Sequence, residues 1–237
     1  ALAQGVFSDQ WTQVCTLGTR AEAGCDAIRA REILAADQPP WRAIGRVNFA
    51  SRDQKSDCTG VLVSDNLVLT AAHCLYNTPR QRWIPPSSIR FAAGYQRGEA
   101  AAVSGVKGYR LHPEQGVEGL FDDRADLDWA VLELSAPIGQ QVGYLPLADD
   151  SATGTCVAGY PGSRPHVLSK TKTCQPRRHS SGVLLATCPV MMGDSGAPLL
   201  VEMDTGLQVV GILSRVAETP KGITALFLPV DLFDLGP

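Results

Sequence analysis

The spacing of hydrophobic positions in this chain changes near residue 41. From Trp41 onward, apolar residues occur in short runs of strand length that turn-forming residues interrupt. These runs include "AIGRVNFA", "TGVLVSDNLVLTAAH", "DWAVLEL", "APLLVEMDTGLQVVGIL" and "ITALFLPV". Within the fourth run, Asp204-Thr205-Gly206 predicts a hairpin turn. Many short strands at regular spacing predict an all-β fold, and the periodicity alone leaves a sandwich and barrels open.

The first 40 residues have a different pattern. The stretch "TRAEAGCDAIRAREILAADQ" is rich in Ala, Glu and Arg, and it predicts a helix that ends before Pro39-Pro40. Gly and Pro mark the stretch 136–150 as the seam between two halves of the remaining chain. With 237 residues, the protein could be one large all-β unit or two small domains that share a core.

Composition and charge exclude several classes of protein. A hydrophobic content of 44% and a charged content of 19% are typical of a globular protein and not of a disordered one. A net charge of -3 and the lack of a long basic run argue against nucleic acid as a partner. The longest apolar runs have the length of strands, so no membrane span is predicted. The first residues, "ALAQG", look like a signal-peptidase site followed by a mature start at Gln4.

Seven cysteines need an explanation. None of them forms a CxxC pair and the four histidines are scattered, so no metal site is predicted. Disulfides explain the cysteines better, and they place the protein in an oxidising compartment, either secreted or periplasmic. The odd number leaves one thiol over, or one thiol bonded to another molecule.

Three stretches carry residues that can act together in catalysis. His73 lies in "LTAAHC", Asp128 in "DLDWAVLEL" and Ser195 in "GDSGAP". A serine hydroxyl is a poor nucleophile at neutral pH, so it needs a base to take its proton and a carboxylate to orient that base. It also needs backbone N–H donors for the oxyanion, and a glycine beside the serine allows the dihedrals that such a turn requires. Gly193 and Ser195 are the predicted donors.

"TAAHC" and "GDSGAP", with the chain order His, Asp, Ser, resemble the trypsin/chymotrypsin-like serine proteases. The resemblance covers roughly residues 41–232. Within the family, the chain is similar to the bacterial, V8-like branch. It implies two antiparallel six-stranded β-barrels behind a short helical N-terminal extension, with residues 1–40 as the extension, 41–140 as the first barrel and 141–237 as the second. It also implies that His73 is the general base, Asp128 its orienter and Ser195 the nucleophile. No cofactor is expected.

A second aspartate competes for the role of the carboxylate. The family pattern is an aspartate followed by alternating apolar residues into a strand, and Asp128 fits that pattern better than Asp126 does. Asp122, Asp123 and Asp126 are interpreted as a solvated loop. "GILS" matches the family strand whose serine, here Ser214, hydrogen-bonds the catalytic aspartate.

The resemblance also implies a set of disulfides. Cys58 and Cys74 match the family bridge beside the base, and Cys174–Cys188 resembles a bridge ahead of the serine loop. Cys15–Cys25 could close the N-terminal segment. Cys156 would then remain as a free, buried thiol.

The start of the chain departs from the family pattern. In digestive members a freed apolar N-terminus pairs with the aspartate before the serine, but here the "IVGG" start is missing while Asp194 is present. An unpaired buried carboxylate is costly, so some cation must lie near it. Either another group supplies that cation, or cleavage within residues 24–40, for example after Arg29 or Arg31, creates it.

The primary pocket can be compared with that of the family. Trypsin-like members have an aspartate six residues before the nucleophile, where this chain has Pro189, and glutamyl-specific members have a histidine where this chain has Leu213. Val216 would narrow the pocket. Arg215 could attract acidic residues of the substrate or face the solvent. The predicted pocket is apolar, and its residues are Pro189, Val190, Met192, Leu213, Ser214, Arg215 and Val216.

Together these patterns predict an exported, monomeric serine endopeptidase that acts on protein or peptide substrates, cleaving after small or medium apolar residues. The alternative is a latent or regulatory protease-like protein that needs N-terminal processing before it becomes active. An esterase is disfavoured because esterases with this chemistry normally use a G-x-S-x-G elbow on an α/β sheet.

Overall fold

The computed structural model describes residues 25–50, 55–149, 154–219 and 222–236. Two short α-helices, Cys25–Arg29 (α1) and Gly139–Val142 (α2), stand among β-strands and 3₁₀ turns. The 3₁₀ turns are Trp41–Ala43, Ala72–Leu75, Thr78–Arg80, Pro86–Ser88, Val117–Gly119, Ala125–Leu127 and Val230–Leu232. The predicted all-β fold class is therefore confirmed. Among the described residues, none of the helices is long and apolar enough to span a bilayer.

Nine strands occur in the first part of the chain. They are β1 (Glu32–Ile33), β2 (Ile44–Ala50), β3 (Lys55–Leu62), β4 (Leu67–Ala71), β5 (Tyr76–Asn77), β6 (Arg82–Trp83), β7 (Arg90–Ala93), β8 (Ala102–Leu111) and β9 (Trp129–Leu134). Six of them close into an antiparallel barrel in the order β2-β3-β4-β9-β8-β7. Strands β5 and β6 form a separate two-stranded hairpin. The predicted first barrel is thus present.

The second part of the chain forms a larger antiparallel sheet. Its strands are β10 (Cys156–Gly159), β11 (Ser169–Lys170), β12 (Arg177–Arg178), β13 (Leu184–Thr187), β14 (Pro198–Met203), β15 (Gly206–Thr219) and β16 (Gly222–Pro229). With β1 they pair in the order β1-β11-β10-β14-β15-β16-β13-β12. This sheet has eight described strands where six were predicted. The two additional strands are β1, from the extension, at one end of the sheet and the short β12 at the other end.

Apolar side chains fill the interior of both sheets. Phe91, Leu69 and Trp129 are buried in one cluster that also includes Leu200 and Ile212 from the second half. The two halves therefore share part of a core. A second cluster lies within the second sheet and includes Val157, Leu213 and Phe227. Along each strand of a barrel, inward-facing positions alternate with outward-facing ones, so the apolar side chains of each strand can line this interior.

The N-terminal extension is mostly not helical where it is described. Helix α1 ends at Arg29, well before the predicted end at Pro39-Pro40. The next residues become strand β1, in which Glu32 lies opposite Lys170 and Ile33 opposite Ser169. The Leu34 N–H then donates to the Leu168 carbonyl at 3.0 Å. Pairing with a sheet edge has overridden the local helix propensity of Ala, Glu and Arg, which is a weak preference.

Two of the three predicted disulfides are present. Cys58 is bonded to Cys74, and Cys174 is bonded to Cys188. Cys15 lies outside the described residues, so the Cys15–Cys25 bridge stays a prediction. Cys156 is a free thiol, as predicted, but it is half-buried rather than buried, and this partial burial raises its pKa. Two disulfides are typical of a protein from an oxidising compartment.

Candidate active site

His73 follows strand β4 and lies on the 3₁₀ turn Ala72–Leu75. Its backbone N–H donates to Asp128 Oδ1 at 2.8 Å, and its ring Nδ1 lies 2.8 Å from Asp128 Oδ2. A carboxylate can only accept, so Nδ1 carries the ring proton of this contact and Nε2 is left as an acceptor. The His73 side chain is 18% exposed. The aspartate thus orients the imidazole and leaves Nε2 as its basic nitrogen.

Asp128 lies between the 3₁₀ turn Ala125–Leu127 and strand β9. Its side chain is completely buried. Oδ2 also accepts a hydrogen bond from Ser214 Oγ at 2.5 Å, as the resemblance implied. Ser214 lies at an irregularity in the pairing of β15 with β16, and such bulges re-aim a side chain. Asp126, the competing candidate, is partly exposed and has no such contact with His73.

The Ser195 turn is held against the first barrel through its backbone. The Thr59 N–H donates to the Ser195 carbonyl at 2.8 Å, and Cys74 Sγ lies 3.9 Å from the same oxygen. Since Cys74 follows His73 in the chain, this contact places the serine beside the histidine. Within the described residues the Ser195 hydroxyl makes no hydrogen bond to the imidazole. In unliganded sites such bonds are often long and tighten when substrate binds.

Two backbone N–H groups near the serine have no acceptor among the described residues, those of Gly193 and Ser195. Gly193 has a φ of +94°, and a Cβ there would collide with the Tyr160 carbonyl oxygen. Its own carbonyl accepts from Thr59 Oγ1 at 2.9 Å, which holds the Gly193–Asp194 peptide between the two donor groups. Two such N–H groups are what the predicted oxyanion site requires.

Gly196 provides a test of how tightly this turn is packed. It has a φ of +79°, and an added Cβ would collide with the Thr59 carbonyl and with Thr70 Oγ1. We expect Gly196→Ala to lower the free energy of unfolding by about 3 kcal/mol, from left-handed strain plus overpacking. Gly182→Ala is the matched control, since Gly182 has a φ of +87° with nothing nearby, and it should cost only about 1 kcal/mol. Urea unfolding measures both, and equal losses would contradict the packing argument.

Asp194 has a cationic partner in the intact chain. Arg31 Nη1 lies 2.7 Å from Asp194 Oδ2, and both side chains are fully buried. Burial raises the pKa of Asp194, whereas the Arg31 guanidinium counteracts that rise. The sequence suggested Arg31 only as a cleavage point and did not identify it as the partner. Its position beside strand β1 depends on long-range pairing, which no local pattern reveals.

The predicted pocket residues divide by burial. Val190 and Leu213 are buried in the second hydrophobic cluster, and Val216 packs against it. Met192 is exposed and Pro189 is partly exposed. These positions are mainly apolar, and their role as the walls of a substrate pocket stays a prediction.

Arg215 does not face the solvent. Its side chain is 8% exposed, and Nη2 lies 2.9 Å from Asp123 Oδ1. The same Nη2 donates to the Asp123 carbonyl. The interpretation of Arg215 as a solvent-facing residue is therefore wrong, whereas the Asp123 side chain is 55% exposed, as expected for a solvated loop. The pair links strand β15 to the segment that precedes Asp128.

One group of side chains in the described part of the chain has the proximity of metal ligands, namely Cys58, His73 and Cys74. The two sulfurs are bonded to each other, so they are not thiolates that could bind a metal. This group therefore belongs to the catalytic arrangement and does not form a metal centre.

Comparison with known proteins decides the family. A family model described as Trypsin matches residues 34–234, which is most of the chain. The chain belongs to the trypsin family. The family predicted from the three motifs is thus confirmed.

Relatives in this family come from bacteria and animals. The chain is 25% identical over 194 residues to a glutamyl endopeptidase of Bacillus licheniformis, covering 76% of this chain and 55% of the relative. It is 27% identical over 216 residues to tissue-type plasminogen activator of Sus scrofa, covering 74% of this chain and 37% of the relative. The chain therefore spans about half, or less, of the length of these curated relatives. The bacterial match agrees with the predicted likeness to the V8-like branch.

Solved structures are similar in fold. A Glu endopeptidase in complex with MPD superposes with a TM-score of 0.67 at 22% identity, covering 85% of this chain and 92% of that chain. A thermostable serine protease, AL20, from an extremophilic microorganism gives a TM-score of 0.61 at 22% identity, covering 82% and 92%. These likenesses support the chymotrypsin-like fold of this member of the trypsin family.

Proposed function

We propose that this trypsin-family protein is an exported serine endopeptidase that hydrolyses peptide bonds through an acyl-enzyme on Ser195. The observation that carries the proposal is the buried Asp128, which binds both His73 Nδ1 and Ser214 Oγ. This arrangement places the ring proton on Nδ1, so Nε2 is the nitrogen that can accept a proton. Protein or peptide is the proposed substrate, a monomer the proposed acting form, and the secreted or periplasmic space the proposed location.

In the proposed mechanism His73 removes the Ser195 hydroxyl proton as the oxygen attacks the carbonyl carbon of the scissile bond. The oxyanion that forms accepts hydrogen bonds from the Gly193 and Ser195 N–H groups. His73 then gives the proton to the leaving amine. A water molecule that His73 activates in the same way hydrolyses the acyl-enzyme and restores the Ser195 hydroxyl. Asp128 keeps the tautomer of His73 and stabilises its cationic form.

The proposed preference is for small or medium apolar residues before the cleaved bond. Val190 and Leu213 are apolar and buried, and Val216 packs beside them. Although one relative is a glutamyl endopeptidase, Leu213 offers no charge that would bind a carboxylate. Pro189 likewise offers no carboxylate for a Lys or Arg side chain.

Cleavage of a mixed peptide library by the purified protein tests this function. We expect cleavage after small or medium apolar residues, together with covalent labelling of Ser195 by a fluorophosphonate probe that mass spectrometry locates. Protein treated with the probe before the assay is the control and should cleave nothing. A preference for Glu, Lys or Arg would refute the pocket assignment alone. Absence of both cleavage and labelling would refute the peptidase assignment.

The alternative, a latent protein that needs N-terminal processing, rested on the unusual start of the chain and on Val216. Arg31 supplies a buried cation for Asp194 within the uncut chain, and this supports the active form over the latent one.

A further inference from the structure

We propose that Arg31, on the N-terminal extension, is a positioning residue that keeps the Gly193–Ser195 turn in its oxyanion-binding conformation, so that the uncut chain is catalytically competent. This inference rests on the proposed peptidase function, since it assigns a role within the same site. It concerns a residue that lies 163 positions before its partner in the sequence.

The Asp194 carboxylate lies at the centre of the catalytic turn. Asp194 stands between Gly193 and Ser195, whose N–H groups have no acceptor among the described residues. Its Oδ2 accepts from the Met191 N–H at 3.1 Å and from Arg31 Nη1 at 2.7 Å. These two contacts hold the Asp194 side chain inward, and with it the backbone that joins Gly193 to Ser195.

Burying the Asp194 carboxylate has an energetic cost. The Asp194 side chain has no solvent exposure, and an ionised carboxylate loses several kcal/mol of hydration when it is buried, on the order of the penalties known for buried ions. A paired cation offsets this cost, whereas removing one partner of a buried pair leaves an uncompensated charge. Without Arg31, Asp194 would have to take up a proton or turn toward water. Turning toward water would rotate the peptides of Gly193 and Ser195 with it.

Arg31 is itself held in place by contacts with the second sheet. Arg31 Nη2 donates to the Ser169 carbonyl at 2.5 Å. Arg164 Nη2 donates to the carbonyls of Arg31 at 3.3 Å and Ile28 at 3.0 Å. Strand β1, which begins at the next residue, pairs with β11 and anchors the backbone. The guanidinium is therefore pre-positioned by the sheet, and its contacts need no cleavage of the chain.

The exposed Arg29 provides a matched control on the same segment. Its guanidinium pairs with Asp26 at 2.9 Å, and its side chain is 68% exposed. Arg29→Ala removes the same type of charge two residues away, without touching the buried pair. It should leave kcat and KM unchanged.

The test compares Arg31→Ala with Arg29→Ala and the uncut wild type in a peptide-hydrolysis assay. We expect Arg31→Ala to lower kcat on the order of 10²-fold with little change in KM, the size of effect that loss of an oxyanion donor produces. Millimolar methylguanidinium should restore part of the kcat of Arg31→Ala, by filling the vacated space with a cation, and should not accelerate the wild type. A wild-type kcat in folded Arg31→Ala would overturn the proposal, as would a loss that methylguanidinium does not reverse.

A second measurement covers the case in which Arg31→Ala does not fold. Intact-mass analysis of wild-type protein labelled with a fluorophosphonate shows whether chains that still contain residues 25–31 react. Stoichiometric labelling of these uncut chains supports the proposal, and labelling confined to chains cut before Glu32 overturns it. Wild-type protein that never reacts, cut or uncut, would instead refute the peptidase function itself.

Discussion

Ser195→Ala is expected to lower kcat on the order of 10⁶-fold, which is the loss known for removal of the nucleophile in another serine protease. Without the hydroxyl no acyl-enzyme can form, and only substrate binding and the oxyanion donors remain. The stability should change little, because the Ser195 contact that holds the turn is made by its carbonyl oxygen with the Thr59 N–H. Steady-state hydrolysis of a peptide substrate and urea unfolding measure the two quantities.

The matched control for this variant is Ser180→Ala. Ser180 is exposed and lies on a turn outside the motif, so the same chemical change there should leave both kcat and stability as they are. Peptidase activity that persists in purified Ser195→Ala above the level of a probe-inactivated sample would show that another residue is the nucleophile.

Asp128→Asn is expected to lower kcat on the order of 10⁴-fold, with the fold retained, as for the equivalent change in the well-studied triad. The carboxylate accepts from the His73 backbone N–H, the His73 ring and Ser214 Oγ, so an amide in its place cannot accept all three bonds. An amide N–H facing the ring would favour the wrong tautomer, with the proton on the nitrogen that must act as base. Activity measured over a range of pH values quantifies the loss.

Asp126→Asn separates this role from a general effect of charge. Asp126 is two residues earlier and partly exposed, and among the described contacts it has none with His73. It should keep nearly the full kcat. If Asp126→Asn were the more damaging change, the assignment of the carboxylate to Asp128 would be wrong.

The geometry around Asp128 could be anticipated from sequence because a family resemblance supplied it. The aspartate directly before the apolar strand "WAVLEL" and the serine at the end of "GILS" both match short motifs of that family. The Cys58–Cys74 and Cys174–Cys188 bridges followed from the same resemblance, and both are present.

The role of the extension could not be anticipated, because it depends on tertiary pairing. "CDAIRAREIL" has the composition of a helix, yet Glu32 and Ile33 gain backbone hydrogen bonds from β11 that the isolated helix could not match. Arg31 reaches Asp194 only because that pairing exists. Sequence alone does not distinguish a surface arginine from a buried one. Arg215 is a second example, since its buried position and its contact with Asp123 were not predicted.

Strand β1 also forms the outer boundary of the second sheet. It has only two residues, and a very short edge strand gives a neighbouring molecule little to pair with. If proteolysis removed the extension, the backbone of Ser169–Lys170 would become a bare edge, and bare edges are templates for association between molecules. The same cut would leave the buried Asp194 carboxylate without the positive charge of Arg31. A single cut in the extension is therefore expected to lower both the activity of this molecule and its resistance to aggregation.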